Sequence, residues 1–442
     1  MKESRYNFFF ESEFEDKLIA YNCRSNYLAL IEKEKRDKIP ALLNGSFTDY
    51  DLMSSLKEGG FIVDDDLDEL GVLRHECCSQ RYSTASFGMT ICPTLACNFD
   101  CVYCFESSQT DMTKMSVEVQ DKIIKIMSTK LPTISNLNVS WFGGEPLLAF
   151  DVIERMSKII MNLCEKANVE YGAGIITNGY LLDVDTAKKM KELKINNMQV
   201  TLDCNMEVHD RRRTLRGGQG TFKRIVENLE SVIDIYPNIS LRVNVDKTNK
   251  EHAFEIFDVI KNSALHNKIT PYLGYVDDAN NCYKKEACLE KEEFLDLEFE
   301  FDSVSKEMGY IKNILHKYPR QFRNFCGADG ANSFVVDCYG YFCKCWDEVG
   351  IPERRIGNVT DEIIPVSQLY LDYTLYDATT DPACSSCKVL PLCMGGCPKK
   401  RLNNLERCSQ YKYTLEKYIK ILASNIVKRK KEEAEKEENR NA

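Results

Sequence analysis

A chain of 442 residues is too long for a single hydrophobic core and is expected to divide into several domains. Its formal charge of -10 and pI near 5.3 exclude a protein that coats nucleic acid, and it has no apolar run of the roughly 18 residues a membrane helix needs. Twenty cysteines behind an N-terminus without the basic start and apolar block of a signal peptide point to metal ligation in a reducing, cytoplasmic setting rather than to disulfides.

Residues 1–82 are predicted to form a small domain of their own. The runs Lys17–Asn22 and Tyr27–Ile31 flank a polar Cys23–Asn26 turn and predict a hairpin. Helical stretches follow at Glu32–Leu43 and Tyr50–Lys57, the second stopped by Gly59 and Gly60. Asp64–Asp68 suits the first turn of a third helix, because acidic side chains favour a helix N-terminus. A hairpin with three helices is a winged-helix outline, too acidic here to neutralise DNA phosphates.

From residue 83 to 310 the pattern alternates. Strands are predicted at Phe87–Ile91, Leu137–Phe142, Gly172–Thr177, Met198–Leu202, Ile239–Val245 and Ile269–Val276. Helices are predicted at Val117–Lys130, Asp151–Lys166, Val184–Leu193, Thr221–Tyr236, Glu251–Lys261 and Lys291–Glu307. Such repetition predicts an α/β fold with a parallel sheet and right-handed crossovers. A thiol-rich segment, 311–427, closes with a helix at Tyr411–Val427, and 428–442 is a charged tail expected to be a solvated helix end or disordered.

Cys97, Cys101 and Cys104 put three thiols into eight residues, directly after the first predicted strand of the alternating region. A [4Fe–4S] cluster normally takes four thiolates, so a three-thiol loop leaves one iron to hold something else. The spacing resembles the CxxxCxxC signature of the radical S-adenosylmethionine (SAM) enzymes, with Tyr103 in the aromatic position before the last thiol. That resemblance implies a partial (β/α)6 TIM-like barrel with chemistry at the C-terminal strand ends. Gly143, Gly144, Glu145 and Pro146 resemble the family's GGEP motif, which binds the SAM amino group; here the glycines are expected to admit a ligand and Glu145 to accept from the ammonium. Asn178, Thr201, Asp203, Arg242 and Asn244 match further strand-end positions that face SAM in relatives. Arg213, in an HDxxR pattern, or Arg242 is expected to pair with a carboxylate. Cys204 replaces the family's usual glycine after Asp203 and is the leftover thiol expected to face the cavity. No catalytic acid or base is assigned.

Cys326, Cys345, Cys384, Cys387, Cys393, Cys397 and Cys408, with Gly340, resemble the SPASM domain, which implies two auxiliary [4Fe–4S] clusters beside the SAM-binding one. Carried over, Cys384, Cys387, Cys393 and Cys408 ligate one; Cys326, Cys345 and Cys397 leave the other a ligand short. Cys338 and Cys343 either fill that gap or are buried filler.

The resemblance implies that SAM is cleaved to a 5′-deoxyadenosyl radical, with an electron from a low-potential flavodoxin- or ferredoxin-type donor. The N-terminal domain resembles the element that binds a leader peptide by strand addition, with a structural cap as the alternative. Together these imply a SPASM-type peptide maturase, similar to ranthipeptide and sactipeptide synthases, forming a Cys thioether in a ribosomally made precursor. Formylglycine formation by an anaerobic sulfatase-type maturase, carbon–carbon or ether crosslinking, and epimerisation stay open. Neither a nucleic-acid nor a membrane partner is expected.

Overall fold

The computed structural model describes residues 1–106, 112–236, 239–278, 280–310 and 319–441. The boundary expected at 310/311 adjoins residues outside this set. Two compact units are present: Met1–Arg81 with Asn313–Cys326 and Tyr376–Ala442, and Tyr82–Lys312 with Gly327–Leu375. This partition differs from the expected one, since 1–82 is not separate and 311–427 is divided.

In the first unit, strands Lys2–Glu3 (β1), Asn7–Glu11 (β2), Lys17–Asn22 (β3), Tyr27–Glu32 (β4) and Ile62–Val63 (β5) form two antiparallel sheets, ordered β2-β3-β4 and β1-β5. Helices Lys33–Leu43, Tyr50–Glu58 and Glu69–Arg81 accompany them. The hairpin and the first two helices stand where expected; the third begins at Glu69, so Asp64–Asp68 precedes it rather than forming its first turn, and β2 is an added strand. Alternation along β3 explains the merged unit. Ala20 and Leu18 face a core with Ile39, Leu52 and Leu56, while Ile19 and Tyr21 join one with Leu390, Leu392, Leu415, Ile419 and Leu422. A sheet apolar on both faces needs a second layer, and the chain's C-terminal part supplies it. The last helix runs Tyr411–Asn441, so the charged tail is a helical extension.

The second unit is built on Ser86–Ile91 (β6), Phe99–Cys101 (β7), Asn136–Trp141 (β8), Glu170–Thr177 (β9), Ile195–Thr201 (β10), Arg213–Leu215 (β11), Ile239–Val245 (β12), Thr270–Tyr275 (β13), Ser333–Val336 (β14), Tyr341–Cys343 (β15) and Gly357–Asn358 (β16). Its main sheet is ordered β13-β12-β10-β9-β8-β6-β14-β15-β16. The first six are the strands expected from the sequence, all parallel. Helices fall between them as the alternation predicts; in Phe222–Val232 the buried Ile225, Leu229 and Val232 form an inward stripe. β14 then pairs in parallel with β6, matching Val336 to Ile91, and β15 and β16 add antiparallel. That pairing is why Gly327–Leu375 belongs with the barrel. Among the described residues no helix is long and apolar enough to cross a membrane.

Candidate active site

The thiol loop follows β6, and its short strand β7 pairs with β11, setting Arg213 directly opposite Cys101. The loop is tied to the next strand ends by hydrogen bonds. Asn178 Nδ2, after β9, donates to Asn98 Oδ1 at 2.8 Å and lies 4.0 Å from Cys97 Sγ. Tyr103 Oη donates to Asp203 Oδ2 at 2.7 Å and accepts from Arg213 Nη1 (2.9 Å) and Asn244 Nδ2 (3.1 Å). Asp203 Oδ1 accepts from the Asn244 backbone N–H at 3.0 Å, and Asn244 Oδ1 takes Arg242 Nε at 2.7 Å. Tyr103, Asn178, Asp203, Arg213, Arg242 and Asn244 are thus brought together. Thr201 lies at the end of β10, paired in register with Arg242.

The two glycines also meet backbone. A Cβ on Gly143 would lie 2.3 Å from the Thr94 carbonyl oxygen, and one on Gly144 would lie 2.3 Å from that of Ala96 and 2.5 Å from that of Leu95. What the missing side chains admit is the backbone leading into the thiol loop. Glu145 is fully buried, and its carboxylate is already engaged: Oε1 accepts from Leu147 N–H (2.9 Å) and Thr177 Oγ1 (2.7 Å), Oε2 from Asn178 N–H (2.7 Å). Burial still pushes its pKa up against these donors. Its carboxylate therefore braces the ends of β8 and β9, while Pro146 opens the 3₁₀ turn Pro146–Ala149. Cys204 sits at φ +52°, the left-handed conformation a glycine would favour there. Its sulfur is fully buried and held by Asn249 Nδ2 at 3.3 Å, which corrects the expectation that it faces the cavity.

Arg212, which the sequence did not single out, carries the buried ion pairs. It reaches Asp203 at 3.2 Å and Asp246 at 2.9 Å, with both carboxylates fully enclosed. Burial opposes its charge, but Asp203, Tyr103 and Asp246 outweigh it and hold the guanidinium protonated. Tyr283 Oη donates to Asp246 at 2.9 Å, and Gly274 leaves the space that Arg242 Nε occupies, 2.3 Å from where a Cβ would stand. No local motif marks Arg212, Asp246, Tyr283 or Gly274. The run of three arginines from Arg211 was the available signal, and only burial separates its members: Arg211 is 66% exposed.

Burial raises the thiols of Cys97 and Cys104 to about 12 and that of Cys101 in the same direction, while Arg213 pulls Cys97 and Cys101 back. Cys97 Sγ accepts the Phe99 N–H at 3.4 Å. Two donors, Arg212 Nη2 and Arg213 Nε, are buried there without a hydrogen-bond partner. Among the described residues no three His, Cys, Asp or Glu side chains close on a single ion position, whereas a cube asks for thiolates on separate corners. Thiols with neighbouring cations and spare buried donors fit a cluster with an anionic co-ligand.

Residues 91–260 match the family model of the radical SAM superfamily. The chain carries a radical SAM domain. It is 23% identical over 375 residues to the cysteine-type anaerobic sulfatase-maturating enzyme of Clostridium novyi, covering 78% of this chain and 96% of that one. Among solved structures, anSMEcpe with bound AdoMet and the Cp18Cys peptide superposes with a TM-score of 0.60 at 21% identity, over 77% of this chain and 99% of that one. Streptococcus suis SuiB bound to the precursor peptide SuiA gives 0.54 at 14%, over 92% and 99%.

The enzyme's remaining thiols fall into groups. Cys384, Cys387, Cys393 and Cys408 all belong to the first unit. Cys326, which is exposed, and Cys397 lie in the first unit, and Cys345 in the second. Cys338 and Cys343 are buried, at 3% and 4% exposure, with Cys92 near both. Glu106, two residues after Cys104, is buried with Oε1 unpartnered; burial and then Asp347 push its carboxyl up to about 8.

Proposed function

We propose that this radical SAM enzyme modifies a ribosomally made precursor peptide by joining a Cys sulfur to a carbon of another residue. The observation that carries it is the N-terminal sheet. Its outer strands β2 and β4 have, among the described residues, no further strand paired to them, which is where an extended leader peptide adds a strand. SuiB, whose likeness covers 92% of this chain, was solved with its precursor peptide SuiA, and anSMEcpe with a Cys-containing peptide by name.

Cys97, Cys101 and Cys104 would hold a [4Fe–4S] cluster, and Arg213 and Arg212 offer the spare donors an amino-acid carboxylate needs. When bound, the cluster and SAM supply one-electron cleavage of the sulfonium and hydrogen abstraction from carbon. The chain's own part is to brace the loop through Asn178 and Tyr103 and to keep the strand ends closed around it. Cys384, Cys387, Cys393 and Cys408 would hold an auxiliary cluster; a further one on Cys326, Cys345 and Cys397 rests on the SPASM resemblance alone. The electron source is a flavodoxin- or ferredoxin-type donor.

A second reading, formylglycine formation, is favoured by the 96% coverage of the Clostridium novyi maturase. The test is anaerobic reaction with Cys-containing precursor peptides and with a sulfatase-derived peptide, read by mass spectrometry. Thioether formation removes two hydrogens from the peptide; formylglycine formation from Cys removes two hydrogens and also exchanges sulfur for oxygen. Cys97, Cys101 and Cys104 changed together to Ala should abolish 5′-deoxyadenosine, and its persistence would overturn the whole reading.

A further inference from the structure

The auxiliary thiols of the first unit are surrounded by donors that a set of neutral thiols would not call for. Lys412 Nζ lies 3.5 Å from Cys408 Sγ. Arg407 Nη2 lies 3.8 Å from Cys384 Sγ, and Tyr376 Oη 3.6 Å from the same sulfur. The Val389 peptide N–H acts on Cys387. A neutral thiol is a weak acceptor, whereas a thiolate takes charge-assisted hydrogen bonds.

The two cations are not equivalent. Arg407 also pairs with Asp381 at 2.7 Å, and Tyr376 donates to that carboxylate at 3.0 Å, so its charge is largely compensated. Lys412 stands in the first turn of the helix Tyr411–Asn441, a turn without an acidic residue. A cation there is opposed by the positive end of the helix dipole unless an anion lies against it. Cys408 acts on this ammonium most strongly, then Glu406 and more weakly Cys387. The negative counterpart is Glu406, whose Oε1 accepts the Cys408 N–H at 2.9 Å. Lys412 and Glu406 therefore apply opposite charges to one ligand, Cys408.

We propose that Lys412 sets the redox potential of the cluster held by Cys384, Cys387, Cys393 and Cys408, raising it so that this cluster accepts an electron more readily, with Glu406 acting in the opposite sense. Reduction adds negative charge, and hydrogen bonds and cations at the ligand sulfurs stabilise the reduced form. Lys412 is solvent-exposed, so its influence is screened by salt. The inference rests on the auxiliary-cluster reading above, and its test separates the two.

The experiment is a redox titration followed by EPR on the full chain carrying Cys97, Cys101 and Cys104→Ala, which leaves only auxiliary iron. Cys384→Ala in that background identifies the wave that belongs to this cluster. Lys412→Met should move that wave to lower potential at unchanged iron content, Glu406→Gln should move the same wave up, and Lys412→Arg should leave it in place. The Lys412→Met shift should shrink as ionic strength rises. A wave unmoved by Lys412→Met, or moved upward, overturns the proposal with the cluster intact. Loss of iron in Lys412→Met but not in Glu406→Gln also overturns it, assigning Lys412 to holding the ligand. If no wave or iron depends on Cys384, the cluster reading fails first and the proposal with it.

Discussion

Tyr103 Oη and Asp203 Oδ2, a hundred residues apart in sequence, are joined by a 2.7 Å hydrogen bond that locks the thiol loop to the end of β10. Tyr103 also accepts from Arg213 and Asn244, so its hydroxyl is the point where three segments meet. Tyr103→Phe keeps the ring and leaves a buried carboxylate and a buried guanidinium each short of a partner. We expect a loss of about 1–3 kcal/mol in denaturant unfolding; unchanged stability would show the hydroxyl to be dispensable to the brace.

Arg212 neutralises two enclosed carboxylates, Asp203 and Asp246. Arg212→Met leaves both uncompensated and should cost about 3–5 kcal/mol, the scale for breaking a buried pair from one side. Arg211→Met, one residue earlier and solvent-exposed with only an i,i+4 partner, should stay within about 0.5 kcal/mol. Equal effects at the two positions would contradict the burial argument.

Gly144→Ala tests the close approach of the GGEP turn to the thiol loop. Its Cβ would meet the Ala96 and Leu95 carbonyl oxygens, backbone atoms that cannot swing aside. Overpacking of this kind costs about 1–3 kcal/mol, and displacement of residues 95–97 should lower reconstituted iron by about four atoms, one cluster's worth. Iron content is the readout, and full retention would refute the contact's importance.

His209 is fully buried, with Nδ1 accepting the Asp203 N–H (3.1 Å) and Nε2 against Thr221 Oγ1 (3.0 Å), whose own hydroxyl donates to the Arg213 carbonyl. These partners require the neutral tautomer protonated at Nε2. Burial, then the charges of Arg213 and Arg212, push its pKa well below the ordinary 6.5. The folded pKa is therefore depressed, and the stability this gives is present above about pH 6.5 and lost as pH falls below it. Melting temperature should drop between pH 7 and 5.5, by less in His209→Gln than in the parent. Equal slopes would remove His209 from the acid response.

Legibility followed locality. The six parallel strands were readable because each is a short apolar run whose burial pattern repeats along the chain, and the three thiols of the loop because ligands gathered within eight residues carry their chemistry in their spacing. The role of Glu145 was not readable. The motif marks it as an acceptor, but that Thr177 and Asn178 from the next strand also donate to its carboxylate is set by the fold. Cys204 was misplaced for a similar reason: backbone conformation, not polarity, determines which way its sulfur points.

By itself, then, the amino-acid sequence determined the thiol loop and the alternating βα order, since these depend on residue type and short-range spacing. The tertiary structure alone decided which of three consecutive arginines is charged against buried carboxylates, that the C-terminal hairpin extends the barrel sheet through β14 and β6, and that the N-terminal sheet shares a core with the C-terminal helix. The last two are pairings across more than two hundred residues, and the partners of Arg212, 9 and 34 residues away, are set by the fold rather than by any spacing. Their energy comes from burial and partner geometry that no local window contains.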